Sequence, residues 1–157
     1  MSDIAFLAII EQNQGIIYKI CRLYRNHDQE REDLFQEITF QLWKAYPAFR
    51  GEAKVTTWLY RIALNTAMAS FRKKQPELSF VAELPDTAAA EMNNIEDRQE
   101  QLFTAIKSLN EADRAIVTLY LEEMSYQQIA EIIGISENNV GVKLNRIKEK
   151  IKKLIKS

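Results

Sequence analysis

Asn139, Lys143, Arg146, Lys150 and Lys153 recur at steps of four, three, four and three residues. On a helix that spacing gathers them on one face. An asparagine amide pairs with two edge atoms of adenine, and lysine or arginine reaches guanine. Cations left over find phosphates. The chemistry these residues offer is recognition of a duplex, with Asn138, Asn139, Gly141, Val142 and Lys143 at the leading end of the segment. A solvated amphipathic helix with a lysine-rich tail is the plainer reading of the same residues.

A second set lies between Lys54 and Lys74, where five basic residues (Lys54, Arg61, Arg72, Lys73 and Lys74) occur without an acid. Arg61, Asn65 and Arg72 share one helical face, and aromatic residues are interleaved with them. Bases, amides and aromatics together suit unstacked nucleotides and their phosphates. Aromatics at helical steps also serve as ordinary core. Glu32, Asp33 and Glu37 are the one carboxylate group that invites a metal or acid–base reading. His27, the single histidine, sits in an expected loop. No second carboxylate–histidine cluster completes a site. No catalytic residue, metal ligand or cofactor is assigned.

The elements that must hold these residues are helical. Long stretches follow a helical period, and no alternating β-branched run occurs. In "SYQQIAEIIGISENNVGVKLNRIKEKIKK", Ser125 and Gln128 form a capping box that opens a helix burying Ile129, Ile132 and Ile133. Gly134 can take positive φ and end it. Ile135 plugs the corner, and Ser136 caps the next helix. That helix carries Val140, Leu144, Ile147, Ile151 and Leu154 as a buried stripe. Two short helices crossed by a tight turn are the helix-turn-helix plan, whose second helix enters the major groove.

Upstream, "DLFQEITFQLWKAY" sets Phe35, Ile38, Leu42 and Tyr46 on one face, with Asp33, Gln36, Glu37 and Phe40 at other angles. After the loop "FRGEAK", Trp58, Leu59, Ile62 and Ala63 form the core face of a further helix, with Tyr60, Leu64 and Phe71 elsewhere. Breaks are expected near Gly15, around Asn26–Asp28 and at "YPAFRGE". Residues 75–93 hold Pro76 and Pro85, show no period and read as a flexible linker. The fold class is all-α: two small helical domains, 1–74 and 94–157, joined by that linker.

At 157 residues and 46% hydrophobic content the chain can bury a real core. The formal charge is -1, so its distribution carries more information than its sum. Residues 137–156 hold seven basic residues against two acids. Acids concentrate at 28–37 and 77–100. Two basic segments in a nearly neutral chain imply two local anion contacts. The lone Cys21 excludes an intrachain disulfide and fits a reducing compartment. It shares an apolar stripe with Ile17, Ile20 and Tyr24 and reads as core. "IAFLAII" is the longest apolar run and is too short to span a bilayer. A cytoplasmic protein without membrane insertion is expected.

Three motifs resemble bacterial sigma factors of the sigma-70 superfamily, extracytoplasmic-function group: "DLFQEITFQLWKAYPAFRG", "TWLYRIALNTAMASFRKK" and "LNEADRAIVTLYLEEMSYQQIAEIIGISENNVGVKLNRI". They cover nearly the whole chain in the family's order. The resemblance implies a dissociable initiation subunit that binds core RNA polymerase, recognises promoter minus-ten and minus-thirty-five elements and promotes DNA opening. Residues 1–74 resemble sigma region 2 and 94–157 resemble region 4. Asp33, Leu34, Gln36, Glu37, Phe40 and Trp43 match the helix that docks on the β′ clamp helices. Phe49, Arg50, Gly51 and Lys54 match the loop that captures a flipped minus-ten base, and Arg61, Asn65 and Arg72 match the helix that follows the same strand. Ser136, Asn138, Asn139, Lys143, Arg146 and Lys150 match the minus-thirty-five reader. Many members carry a Lys or Arg near the position of Gly141. The implied partners are core polymerase, through the β′ clamp helices and the β flap, promoter DNA and an anti-sigma factor.

Geometry allows this division of labour. A linker of 19 residues reaches at most about 65 Å at ~3.3–3.6 Å each, and elements some 17 base pairs apart lie about 58 Å apart at ~3.4 Å per pair. Two other readings stand beside it. One is a regulator that binds duplex DNA unaided, with a sensing or dimerising N-terminal half. The other is a helical adaptor without DNA contact.

Overall fold

A computed structural model describes residues 2–51, 54–74 and 95–156. The expected linker at 75–93, and Glu52 and Ala53 of the "FRGEAK" loop, lie outside the described residues. Eight α-helices and no strand occur among those described: α1 Ser2–Gln12, α2 Gln14–Tyr24, α3 Asp28–Ala45, α4 Val55–Lys74, α5 Ile95–Lys107, α6 Glu111–Leu121, α7 Tyr126–Ile133 and α8 Glu137–Lys156. A single 3-10 turn, Tyr46–Ala48, follows α3, with Pro47 at a position that suits proline.

The helices α2, α3 and α4 pack on one another, and α1 lies against α2. Ile17, Ile20, Cys21, Leu23 and Tyr24 of α2 meet Leu34, Ile38 and Leu42 of α3. The stripe on α3 thus includes Leu34, 2% exposed, while Phe35 is only half-buried. The first break falls at Asn13, two residues before Gly15. The Asn13 side chain donates to the Ile9 carbonyl at 2.8 Å, a local bond that competes with continuing the helix. Gly15 itself lies in the first turn of α2.

In the second half α6, α7 and α8 each start on a cap. The Asn110 side chain accepts from the Asp113 amide at 2.8 Å and opens α6. Ser125 and Gln128 close the capping box of α7 at 3.1 and 2.9 Å. Gly134 adopts φ 89° and ends α7, and its amide and that of Ile135 both donate to the Ala130 carbonyl. Ser136 then accepts from the Asn139 amide at 3.1 Å. Val140, Leu144 and Ile147 are buried, Ile151 is half-buried and Leu154 is 47% exposed. The apolar stripe of α8 therefore runs out after about three turns.

The two halves are not separate in space. The helix α4 also packs against α6 and α7, and α2 against α5. This corrects the sequence reading of α4. Tyr60 and Leu64, expected away from the core face, are 1% and 0% exposed. The helix α4 packs on α2 and α3 and also on α6 and α7, and Tyr60 faces Glu122, so α4 is buried on two sides.

Candidate nucleic-acid and partner interface

The outer face of α3 is built from Asp33, Gln36, Glu37, Phe40 and Trp43, all exposed. Asp33 lies three and four residues before Gln36 and Glu37, these lie four and three before Phe40, and Trp43 follows three later, so one face holds them together. Phe40 is 50% and Trp43 51% exposed, unusual for aromatics beside a formed core. Gln29 donates to Asp33 and Gln41 to Glu37, each at 3.1 Å, which steadies the carboxylates. Lys44 lies over the Phe40 ring at 5.5 Å. Leu34 is turned inward and serves the α2–α3 packing, so it offers no surface to a partner.

A groove of about 520 Å³ runs between α1 and α3, lined by Asp3, Phe6, Leu7, Phe35, Gln36, Thr39, Phe40 and Trp43. Leu7 and Ile4 stand 62% and 76% exposed beside it. Sequence reasoning misses these two, because it takes "IAFLAII" only as a question of membrane span. The signal available was its split into an inward pair, Phe6 and Ile10, and an outward pair three residues apart.

The loop after α3 is pinned by Phe49, whose ring lies 4.7 Å from that of Trp58 on α4. Tyr46 sits 6.3 Å from the same indole. Phe49 is thus half-buried, while Arg50, Gly51 and Lys54 are exposed. Gly51 has φ 75°, a conformation that side chains resist. The Lys54 carbonyl accepts the first bond of α4, from the Trp58 amide at 3.1 Å.

Asn65 is exposed but stands apart from that loop. It lies eleven residues beyond Lys54, about 16 Å of helix rise. It lines a polar concavity between α3 and α4 with Arg25, Glu30, Asp33, Glu37 and Ser70. The structure therefore groups Asn65 with the α3 carboxylates. Arg61 is half-buried on the intervening turn. The side chain of Arg72 lies outside the described residues. Arg25 is 7% exposed, donates to the Tyr24 carbonyl and to Ser70 Oγ at 2.8 and 2.7 Å, and joins α2 to α4.

On α8, Ser136, Asn138, Asn139, Arg146 and Lys150 are exposed and Lys143 half-buried. No acid stands between Asn138 and Lys148. Tyr126, at the start of α7, is 40% exposed, and its ring comes within 3.4 Å of where a side chain at Gly141 would begin. Gly141 therefore seats an aromatic ring from the first helix of the motif, which spacing along one helix does not disclose. Lys148 lies over the Tyr120 ring at 4.6 Å.

Cys21 is fully buried in α2, and burial pushes its thiol up to about 11. It is core. Among the described residues no group of His, Cys, Asp and Glu can hold a metal ion. None of the described helices is long and apolar enough to cross a membrane.

These features define an all-helical protein with a helix-turn-helix that carries a basic face and, apart from it, an apolar and acidic face on α3. Residues 9–77 match the family model Sigma-70 region 2, and residues 99–151 match Sigma-70, region 4. The chain is 30% identical to the RNA polymerase sigma-H factor of Pseudomonas aeruginosa, covering 95% of this chain and 84% of that one. It is 26% identical to the ECF RNA polymerase sigma factor SigW of Bacillus subtilis, covering 97% and 89%. Its fold matches the sigma factor RpoE of Bartonella quintana, solved in complex with the anti-sigma factor NepR, with a TM-score of 0.75, 17% identity and 97% of each chain covered. The chain belongs to the sigma-70 family, extracytoplasmic-function group: it is a promoter-recognising initiation subunit of RNA polymerase.

Proposed function

We infer that the two outward faces divide the work of a sigma factor between them. Asp33, Gln36, Glu37, Phe40 and Trp43 take the β′ clamp helices of core polymerase, joined by Leu7 and Ile4 from α1. Asn138, Asn139, Lys143, Arg146 and Lys150 read the minus-thirty-five duplex from the major groove. Ser136 starts the reading helix, and Tyr126 borders it. Arg50, Gly51 and Lys54, on a loop anchored by Phe49, take a flipped minus-ten base. Arg61, Asn65 and Arg72 follow the same strand along α4. Residues 1–74 and 94–157 act as the two working units, with 75–93 as tether. The protein works in the cytoplasm without catalytic chemistry of its own. An anti-sigma partner fits the same reading, as the matched RpoE structure is of such a complex.

The observation that carries this reading is the exposed Phe40 and Trp43 beside Asp33 and Glu37. A DNA-binding protein that worked alone would have no use for that face, and two half-exposed aromatics are the usual anchors of a protein interface. The experiment is a titration of labelled chain with core polymerase. Saturable binding, weakened at least a hundredfold by Asp33→Lys with Glu37→Lys, is expected, since reversed charges across an interface cost several kcal/mol. Unchanged affinity of the double variant removes the α3 assignment.

A further inference from the structure

One row of α8 runs Asn138, Gly141, Asn145 and Lys148, at steps of three, four and three residues. Asn138 and Asn145 are exposed, and Gly141 between them projects no side chain. The helix does not need glycine there. Gly141 has ordinary helical backbone, and an alanine methyl would meet Tyr126 Cε2 at 3.4 Å, a normal contact. Glycine is also a poor residue inside a helix. What its missing side chain leaves open is the edge of the Tyr126 ring, which is 40% exposed.

Val142 borders the same gap. It lies four residues after Asn138 and three before Asn145, and it is 45% exposed between polar neighbours. The cation of this row does not reach into the gap, because Lys148 is held 4.6 Å over the Tyr120 ring. A guanine edge presents two acceptors and calls for lysine or arginine donors. The row offers instead two amides and an apolar seat made of one aliphatic and one aromatic group. Of the four bases, thymine alone carries a methyl group into the major groove. Its partner adenine presents the donor and the acceptor that an asparagine amide matches.

We propose that Tyr126 and Val142 seat the methyl group of a thymine across Gly141, so that this chain prefers an A·T pair at that position of its minus-thirty-five element. Tyr126, Gly141 and Val142 are then specificity determinants beside the asparagines and cations of α8. Selectivity depends in part on a residue of the first helix of the motif, which supplies the ring that the reading helix leaves uncovered. The proposal rests on the assignment of α8 as the minus-thirty-five reader.

The test removes one methyl group at a time. The complex of core polymerase with the full chain selects its preferred minus-thirty-five duplex from a randomised pool. Each thymine of that duplex is then replaced by deoxyuridine, which lacks only the methyl. One replacement should weaken wild-type binding about fourfold, the share of a single buried methyl group. In Val142→Ala the same replacement should cost less than about twofold, since most of that contact is gone. Val142 is half in water, so this variant should keep its fold. Gly141→Arg fills the gap with a guanine donor and should move preference at that pair from A·T to G·C by about tenfold or more. A duplex with no thymine sensitive to its methyl overturns the proposal, as does a methyl effect that persists at full size in both variants. When Asn139→Ala still relaxes the selected sequence, such a result strikes the methyl seat alone. When Asn139→Ala leaves that sequence unchanged as well, α8 is not the reader, and the seat falls with that assignment.

Discussion

The outer faces of α3 and α8 are both polar, yet they are built on opposite terms. On α3, carboxylates flank two half-exposed aromatics. On α8, asparagines and cations share a face with little apolar surface apart from Val142 and the neighbouring Tyr126. On the proposed assignment the first face gains its energy from desolvated anchors in a pocket, and charge serves partner choice. The second gains it from phosphates and base edges, and salt screens much of it. On that assignment one chain carries two recognition surfaces that respond differently to truncation and to ionic strength.

The largest expected effect lies on α3. Phe40→Ala should weaken core binding by about 2 kcal/mol or more, the range of an interface anchor. Stability should hardly change, because half the ring is already in water. Binding isotherms with core, set beside thermal melts, check both. A loss of core affinity that tracks a fall in melting temperature would remove the contrast between the faces.

On α8 the expected effects are smaller and of two kinds. Asn139→Ala should cost about 1–3 kcal/mol on the preferred minus-thirty-five sequence and relax preference at one position. Lys150→Ala should weaken all sequences alike and lower the salt slope by about one. Competition binding of the polymerase complex at several salt concentrations separates them. If both variants behaved alike, the division of α8 into base-reading and phosphate-holding parts would be lost.

Two changes probe the scaffold alone. Ser125→Ala should cost about 1 kcal/mol of stability by opening the capping box of α7. Glu123, which joins α6 to α7, holds φ 67°, where a side chain is strained. Glu123→Gly should stabilise by less than about 1 kcal/mol, since glycine also gains freedom in the unfolded chain. Denaturant melts rank the pair, and a destabilising Glu123→Gly would mean that the carboxylate, not the backbone, governs that turn.

Much of the helix-turn-helix was legible because its signals are local. Ser125 with Gln128, Gly134 and Ser136 each act within four residues, and their bonds form as the sequence implies. Val140, Leu144 and Ile147 were legible by period. Tyr60 and Leu64 were not, because what buries them is the other half of the chain, and no periodicity within α4 records a distant partner. Leu34 illustrates the same limit in reverse. Its place in a matched motif pointed outward, while its position beside Ile38 and Leu42 turns it into the core. Asn65 and the Phe49 loop look adjacent in a motif but are separated by helix rise, a distance that a sequence pattern compresses.

The most direct test is a gel shift with promoter duplex, run near 0.15 M salt with and without core polymerase. A chain with few basic residues on each reading face should bind duplex alone only weakly, because counterion release from a few phosphates gives little. Core polymerase should convert it to a tight and sequence-selective binder, as the second DNA contact becomes intramolecular. Weak binding alone with selective binding in the presence of core is the predicted result; nanomolar, sequence-specific binding by the isolated chain would contradict it.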